Sequence, residues 1–431
     1  MRATRALPTG RAAVQPLALA AALLALPATA QVVAPGELTD PIKYLHGDVY
    51  DPTPERRAEW EAMRVRENGL LIDLGSVTTK EFDAIERGTL NLPLASWLTA
   101  RADVRNDRDR QGAVTRLTVD LLGRVGPWLS IGPSGSPAAR KDGYSIGGAA
   151  LLANEARDAY LLVRLIADSF VYNRLNLEGG TRRDPVWHLQ LEARWLEEQV
   201  AQGRLSIYGA LDAQTLSDVS YPAAPLLLRR ASSRTEAQLH LRWERPALEA
   251  SLVGELTVLR DLAEQRDGDP IVHPVRGGGV STLRFTPPFD DTAAGQSRLQ
   301  RTLAQLRAQV LVAPFGEASE LRLRAQLRLL REAAAGDAFA GPYAYRRLEP
   351  GARLALFWQR REQQAEFGYA AAVAAQQLTG PNPVDQTDYQ DKAYVSWEYS
   401  LSPQVHLRAL IAWEFQGHHF GGGNGSLLGR F

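Results

Sequence analysis

The chain has 431 residues, with 49 basic and 49 acidic side chains, 45% apolar residues and no cysteine. This composition excludes a disordered or collagen-like chain. The lack of cysteine excludes disulfides, thiolate metal sites and a cysteine nucleophile. The balanced charge argues against a nucleic-acid-binding protein, which normally carries a basic excess.

The first thirty residues have the pattern of a secretory signal peptide. Three arginines precede an apolar run from Pro16 to Leu26, and the small residues Ala28, Thr29 and Ala30 follow. This run is too short to span a bilayer as a helix. We therefore predict that residues 1–30 are a signal peptide cleaved near Ala30, and that the protein is exported across a bacterial inner membrane.

Residues 31–68 form a separate N-terminal segment before the first strand. Thr53 followed by Pro54 is typical of a helix start and predicts a short helix to about Glu67. The side chains of Trp60 and Met63 could dock this helix against the rest of the protein. The segment either plugs a lumen or lies in the periplasm, and the sequence leaves both open.

Strict alternation of apolar and polar residues runs through most of the remaining chain. In residues 320–329, Leu321, Leu323, Ala325, Leu327 and Leu329 alternate with charged or amide residues. A helical period would explain some of these leucines but would leave Leu321 and Leu329 on other faces. The period of two therefore predicts β-strands.

Sixteen such strands can be counted, with fourteen to eighteen remaining compatible with the pattern. We predict strands at 69–77, 89–105, 113–131, 143–153, 160–172, 186–196, 203–214, 234–245, 247–260, 298–313, 319–331, 351–361, 363–376, 391–401, 404–415 and 420–431. Connectors at one end are short, 106–112 among them, and those at the other end are mostly long. This rhythm is typical of a transmembrane antiparallel up-and-down β-barrel over residues 69–431.

Aromatic residues on the apolar face predict two belts. Trp187 and Trp195 lie eight residues apart, or roughly 20 Å along the membrane normal in a tilted strand. The predicted girdle consists of Trp187, Trp195, Trp243, Trp358, Trp397 and Trp413. Sorting into two belts is expected of a membrane barrel and not of a water-soluble sandwich.

These features together resemble the Gram-negative outer-membrane β-barrel class, although they match no specific family. The C-terminal Phe431 resembles the residue that the barrel-assembly machinery recognises, and Leu427 fits the pattern before it. Glycines at 423, 425 and 429 depart from that pattern. The resemblance implies an outer-membrane location in contact with outer-membrane lipid.

The polar face of the strands would then surround the lumen. The predicted pore-lining residues are Arg307, Arg322, Arg324, Arg328, Arg353, Arg242, Glu244, Arg408 and Glu414. Sixteen strands are wide enough for an aqueous channel, and the arginines would favour anionic or saccharide solutes. They could instead only pair with acids on adjacent strands, which does not contradict a channel. The segment 261–297 could constrict the lumen, but a solvated external loop is the preferred interpretation.

The sequence thus predicts a non-enzymatic channel for small hydrophilic solutes, without cofactor or metal. His418 and His419 could bind a metal ion only with a third ligand, and the sequence offers none near them. The sequence also offers no Ser–His pair placed to serve as the catalytic residues of an outer-membrane phospholipase. Two alternatives remain: an exporter of exopolysaccharide or other polymer that works with periplasmic partners, and a plugged structural or adhesive barrel. Bilayer conductance separates the channel from the plugged barrel.

Overall fold

The computed structural model describes the chain in twelve stretches of residues. These are 68–76, 83–109, 112–136, 145–154, 159–167, 181–182, 186–220, 227–265, 295–338, 341–380, 383–415 and 419–430. The predicted signal peptide, the helix after Thr53, most of the segment 261–297 and Phe431 lie outside these stretches. None of the described residues belongs to a helix long and apolar enough to cross a bilayer.

The described residues form β-strands joined by turns. In chain order the strands are β1 Gly69–Ser76, β2 Asp83–Ala95, β3 Leu98–Asp109, β4 Gly112–Arg124, β5 Leu129–Ser136, β6 Ser145–Ala153, β7 Ala159–Ala167, β8 Thr181–Arg182, β9 Trp187–Val200, β10 Gly203–Gln214, β11 Ser217–Ser220, β12 Leu227–Arg245, β13 Leu248–Gln265, β14 Gly295–Val312, β15 Leu321–Ala338, β16 Gly341–Arg360, β17 Gln363–Thr379, β18 Val384–Ser402, β19 Val405–Glu414 and β20 His419–Arg430.

The strands form one closed antiparallel barrel of 18 strands. Apart from the short strands β8 and β11, each strand pairs with the next along the chain, and β20 pairs with β1, where Leu71 lies opposite Leu428. The two short strands are extensions: β11 continues the pairing of β10 with β12, and β8 pairs with β11. Closure removes the unpaired edges that an open sheet would expose.

Alternate residues of each strand face opposite sides of the barrel wall. Along β17 buried and exposed residues alternate almost without interruption from Glu366 to Thr379. The exposed residues are mainly apolar; Leu327 of β15 and Leu354 of β16 are 66% and 67% exposed. The buried residues opposite them include Arg353 and Glu366. This inverted pattern, apolar outside and charged inside, is that of a transmembrane barrel.

The barrel has two strands more than the sixteen counted in the sequence, at the upper limit of the predicted range of fourteen to eighteen. The predicted strand 89–105 is β2 and β3 joined by a turn at Ser96 and Trp97, and the predicted strand 113–131 is β4 and β5 joined by 125–128. Because these turns carry exposed tryptophans, Trp97 and Trp128, they read as continued strand. The connector 106–112 was also assigned to the wrong end. Because the predicted strand 89–105 is two strands, β3 runs towards the long-loop end and the connection after Asp109 lies there.

The two barrel ends differ in their connections. We call the end with the turns at 96–97, 201–202, 246–247, 361–362 and 403–404 the short-turn end. The opposite end, called the long-loop end, includes the connection from Gln265 to Gly295. Because β1 begins and β20 finishes at the short-turn end, both termini of the barrel lie there. In outer-membrane barrels this is the periplasmic side.

Candidate functional site: a charged lumen

The inner face of the barrel carries most of the charged side chains that the structure describes. Cross-strand pairing puts all nine predicted pore-lining residues on this face. They do not form one site, because they lie on strands from β12 to β19 and have different partners.

The inner side of β3 to β7 is held by a compact ion-pair cluster, which we call the Asp120 cluster. It consists of Arg101, Asp103, Asp120 and Arg164. Arg164 donates to Asp120 Oδ1 and Oδ2 at 3.1 and 3.0 Å through Nε, and to Asp103 Oδ2 at 2.5 Å through Nη2. Arg101 Nε donates to Asp103 Oδ2 at 2.9 Å. Two positive and two negative charges balance, as buried ions require.

Two hydroxyl groups complete the hydrogen bonding of this cluster. Thr89 Oγ1 donates to Asp103 Oδ1 at 2.8 Å, and Ser134 Oγ donates to Asp120 Oδ1 at 2.6 Å. Asp120 is completely buried. The cluster therefore acts as a packed wall of the lumen and not as an open binding surface.

Apolar residues face inward next to the Asp120 cluster, towards the short-turn end. Leu122, Ala149, Leu151, Tyr160 and Leu162 form one buried group there. Tyr160 Oη donates to Glu192 Oε1 at 2.7 Å. Sequence alternation did not predict this group, because Leu122 and Leu151 are apolar at positions where the pattern predicts polar residues. These side chains are buried, so solvent has little access to this sector of the barrel interior.

Arginine is in excess on the inner face of β14, β15 and β16. Seven arginines and two glutamates of these strands have described side chains on that face: Arg301, Arg307, Arg322, Arg324, Arg328, Arg347, Arg353, Glu332 and Glu349. We call this surface the arginine wall. Neighbouring strands add Glu255 and Glu366, which still leaves more arginines than acids.

Two glutamates on and beside the arginine wall, Glu349 and Glu366, each accept hydrogen bonds from more than one donor. Glu349, nearly inaccessible to solvent, accepts hydrogen bonds from both Arg328 and Arg347. Glu366 of β17 accepts from Arg324 and from Tyr394. A carboxylate that must serve two arginines neutralises only one of them, so the wall keeps a net positive charge.

Further contacts fix the orientation of these arginines. Arg353 lies 5.7 Å from the ring centroid of Tyr394, with Nη2 3.6 Å from Glu366 Oε1. Arg301 Nε donates to Glu332 Oε1 at 2.5 Å. Arg322 forms no ion pair with any residue in the stretches that the structure covers. It is half-buried near the short-turn end and contributes an uncompensated cation.

The remaining predicted pore-lining residues belong to local pairs. Arg242 Nη2 lies 3.0 Å from both Glu244 Oε2 and Glu249 Oε2. Arg408 Nη2 lies 2.6 Å from Glu398 Oε2. Glu414 lies opposite Lys392 across β18 and β19. These acids offset the nearby cations, so they add little net charge to the lumen.

One ion pair joins walls that are far apart in the sheet. Arg105 Nη1 of β3 lies 3.2 Å from Glu236 Oε2 of β12, and Glu236 also accepts from Arg234. Seven strand-to-strand steps separate β3 from β12, so this contact crosses the lumen. Both side chains remain about a quarter exposed, at 27% and 23%. We call this pair the lumen bridge.

The sequence pattern could not predict the lumen bridge. Residue parity assigns a side chain to one face of a strand and says nothing about which strands meet across the interior. No sequence signal links positions 105 and 236.

The predicted girdle residues lie on the outer surface. Trp187, Trp195, Trp397 and Trp413 are exposed, and Trp243 and Trp358 are half-buried. Trp243 Nε1 donates to the carbonyl oxygen of Val200 at 2.9 Å, and Trp358 Nε1 donates to Glu320 Oε2 at 3.2 Å. The sequence missed three exposed aromatics in turns of the short-turn end: Trp97, Trp128 and Phe315.

Within the described stretches, no three histidine or acidic side chains lie together as a metal site. The imidazole His188 Nδ1 lies 3.5 Å from Asp212 Oδ1, and His406 Nδ1 lies 2.9 Å from Ser400 Oγ. These are pairs on neighbouring strands of the lumen surface.

Comparison with known proteins gives only distant similarities. Neither a family model nor a curated protein matches the chain. A bacterial polysaccharide outer membrane secretin is 12% identical, with 85% of this chain and 98% of that chain covered and a TM-score of 0.40. A loop-deletion mutant of OmpT, an outer membrane protein of Vibrio cholerae, is 11% identical, with 84% and 97% covered and a TM-score of 0.35. The siderophore receptor PirA from Pseudomonas aeruginosa is 11% identical, with 85% and 80% covered and a TM-score of 0.32.

Similarities this low assign no family and no activity. The class follows from the barrel itself: 18 antiparallel strands in a closed cylinder, an apolar outer surface with aromatic residues, and a charged interior. The chain has the architecture of the Gram-negative outer-membrane β-barrels.

Proposed function

We propose that the protein is an outer-membrane channel that passes small hydrophilic solutes and prefers anionic or saccharide cargo. The observation that carries this proposal is the arginine wall, in which Glu349 serves two arginines and Arg322 has no ion-pair partner among the described residues. A net positive, partly hydrated surface attracts anions and repels cations. An 18-stranded barrel is also wide enough for an aqueous lumen.

The lumen bridge gives the proposed channel its constriction. Arg105 and Glu236 meet across the lumen and remain partly exposed, so solute must pass beside them. Such opposed charges at a narrow point orient polar solutes and set ion preference.

The test is the single-channel conductance of the purified protein in planar bilayers. Wild type is expected to conduct, with a reversal potential in a salt gradient that indicates anion preference. The variant Glu236→Gln leaves Arg105 and Arg234 without their shared carboxylate, so anion preference should increase. The variant Arg105→Gln should widen the constriction and decrease anion preference.

The matched control is Glu249→Gln, which removes one inward carboxylate from a pair between adjacent strands. Because this pair does not cross the lumen, the conductance of the Glu249→Gln variant should stay close to that of wild type. Cation preference in the wild type would contradict the role of the arginine wall.

A plugged barrel without conductance is the second candidate, and the lumen bridge favours it as well. Contact between distant walls, together with the packed Asp120 cluster, also suits an interior that is closed for mechanical stability. Absence of conductance in wild type, with conductance appearing in Arg105→Gln, would support this second function. No contact among the described residues supports the alternative function, export of a polymer with periplasmic partners.

The location and assembly of the barrel belong to the same proposal. The apolar outer surface is expected to face outer-membrane lipid, and Phe431 is expected to engage the barrel-assembly machinery after cleavage of residues 1–30. Deletion of Phe431 should lower the amount of folded barrel in cells, measured by its resistance to unfolding in unheated gel samples.

A further inference from the structure

Three outward arginines lie on neighbouring parts of the barrel near the long-loop end. On β13, β15 and β16, the arginine occupies the outward position next to an apolar residue of the outer face, and small apolar residues such as Ala333 and Ala344 occupy outward positions beyond it. The successive outward residues are Val258 and Arg260, Leu329 and Arg331, and Leu348 and Arg346. All three arginines are exposed. We call them the outer arginine patch.

The position of the patch matches the edge of the membrane. From Leu321 to Arg331 is ten residues, or about 33 Å of strand, which a tilt near 40° reduces to about 25 Å along the membrane normal. The ten residues from Trp358 to Leu348 on β16 give the same height. About 25 Å is the height of the apolar band in such barrels, so the patch lies at headgroup level.

The charge of the patch is not neutralised by the protein residues that the structure describes. Arg260, Arg331 and Arg346 form no ion pair with them, unlike most arginines of the inner face. The described outward side chains of β13 to β16 include no acid. A lipid-facing arginine at the interface is unfavourable without a partner, and an anionic lipid headgroup would supply that partner.

The spacing of the three arginines provides two binding sites for anions. Arg331 lies opposite Leu348, and Arg346 lies opposite Ala333, so the two arginines are diagonal neighbours about 7–8 Å apart. Arg260 lies three strands from Arg346, about 14 Å across the sheet. Guanidinium groups bind phosphate through paired hydrogen bonds, and two can share one phosphate.

We propose that the outer arginine patch binds a glycolipid of the outer leaflet whose disaccharide headgroup carries two phosphates. Arg331 and Arg346 hold one phosphate, and Arg260 holds the other. The acyl chains lie along the apolar residues below, among them the exposed Leu327 and Leu354. This binding is independent of whether the lumen conducts.

The experiment measures lipid binding to the purified full barrel by native mass spectrometry. The test variant combines Arg260→Gln, Arg331→Gln and Arg346→Gln. The probes are bisphosphorylated lipid A, the same lipid without phosphates, and phosphatidylglycerol. Three exposed charge contacts of the usual strength predict that the Kd for bisphosphorylated lipid A rises about tenfold or more.

The matched control removes three exposed arginines at the short-turn end, Arg245, Arg360 and Arg361, by substitution with Gln. This control loses the same charge and should keep the wild-type Kd within about twofold. A Kd for the test variant within that range would overturn the proposal. Equal binding of lipid A without phosphates, or the same arginine dependence for phosphatidylglycerol, would also overturn it.

If the triple glutamine variant fails to fold, two other variants test the same proposal: Arg346→Gln alone, and the substitution of all three arginines by Lys. The single variant should weaken binding. The lysine variant should bind less tightly than wild type, because lysine lacks the paired donors of the guanidinium group, but should retain part of the affinity through its positive charge. Two results would count against phosphate binding at the patch. One is wild-type affinity in Arg346→Gln. The other is a lysine variant that binds as weakly as the variant with all three arginines replaced by alanine.

Discussion

The substitution Asp120→Asn tests whether the β3–β7 side of the interior is dry. Asp120 is completely buried and accepts hydrogen bonds from Arg164 and Ser134. Asparagine keeps the shape but removes the charge, and Arg164 must then share Asp103 with Arg101. Removing one partner of a buried ion pair costs about 3–5 kcal/mol, and the remaining contact to Asp103 places our expectation near 3 kcal/mol.

A second substitution should recover part of this loss. The double variant Asp120→Asn with Arg164→Gln leaves one arginine and one aspartate, which again balance. We expect the double variant to be more stable than the single variant by about 1–2 kcal/mol. Equilibrium unfolding in denaturant, followed by tryptophan fluorescence in lipid vesicles, measures both values.

The control for this prediction is Glu249→Gln, because the Arg242 partner of Glu249 is 48% exposed. Exposed ion pairs contribute about 0–1 kcal/mol, so the control should remain close to wild type. If Asp120→Asn also stays within about 0.5 kcal/mol of wild type, the Asp120 cluster is hydrated and the reasoning about a dry wall is wrong.

Three further substitutions test the packing of the wall. A Cβ at Gly132 would lie 1.7 Å from a carbonyl oxygen of β4. Gly132→Ala should therefore lower the free energy of unfolding by about 1–3 kcal/mol. The control Gly126→Ala adds a methyl group in open space and should leave the free energy of unfolding unchanged in the same denaturation assay. Tyr160→Phe leaves the buried Glu192 without a hydrogen bond from this hydroxyl and should cost about 1–3 kcal/mol, a result that wild-type stability would contradict. The turn residue Ala201 has a positive φ of 50°, so Ala201→Asn should raise the free energy of unfolding by about a few tenths of a kcal/mol. A lower free energy of unfolding in the same assay would show that the turn geometry tolerates alanine without strain.

The face of each strand was predictable because alternation of side chains is a local property of the backbone. Leu321, Leu323, Leu327 and Leu329 share the outer face, and Arg324 shares the inner one, as expected. The number of strands was less predictable. Turns in soluble proteins are polar, but the turns at Trp97 and Trp128 lie where aromatic side chains meet the membrane edge, so their composition resembles that of the strands they join.

The charges of the lumen were predictable, but their arrangement was not. A sequence shows that Arg164, Asp103 and Asp120 belong to the inner face, yet they lie on strands up to four positions apart. Their contact depends on how sharply the sheet curves between β3 and β7. The lumen bridge depends in the same way on the cross-section of the whole cylinder.

The join between β20 and β1 has a consequence for how the cylinder is completed. Here the earliest and latest strands of the barrel meet, and β20 is rich in glycine around Gly423. A side chain at Gly75, whose φ is 139°, would collide with the backbone of Gly423, so the two strands approach closely with little between them. The last hairpin must therefore be in place before any ring exists. Beside the main-chain pairing, few side chains join the two ends of the barrel: Asn424 Nδ2 donates to Asp73 Oδ1, and Leu428 packs against Leu71.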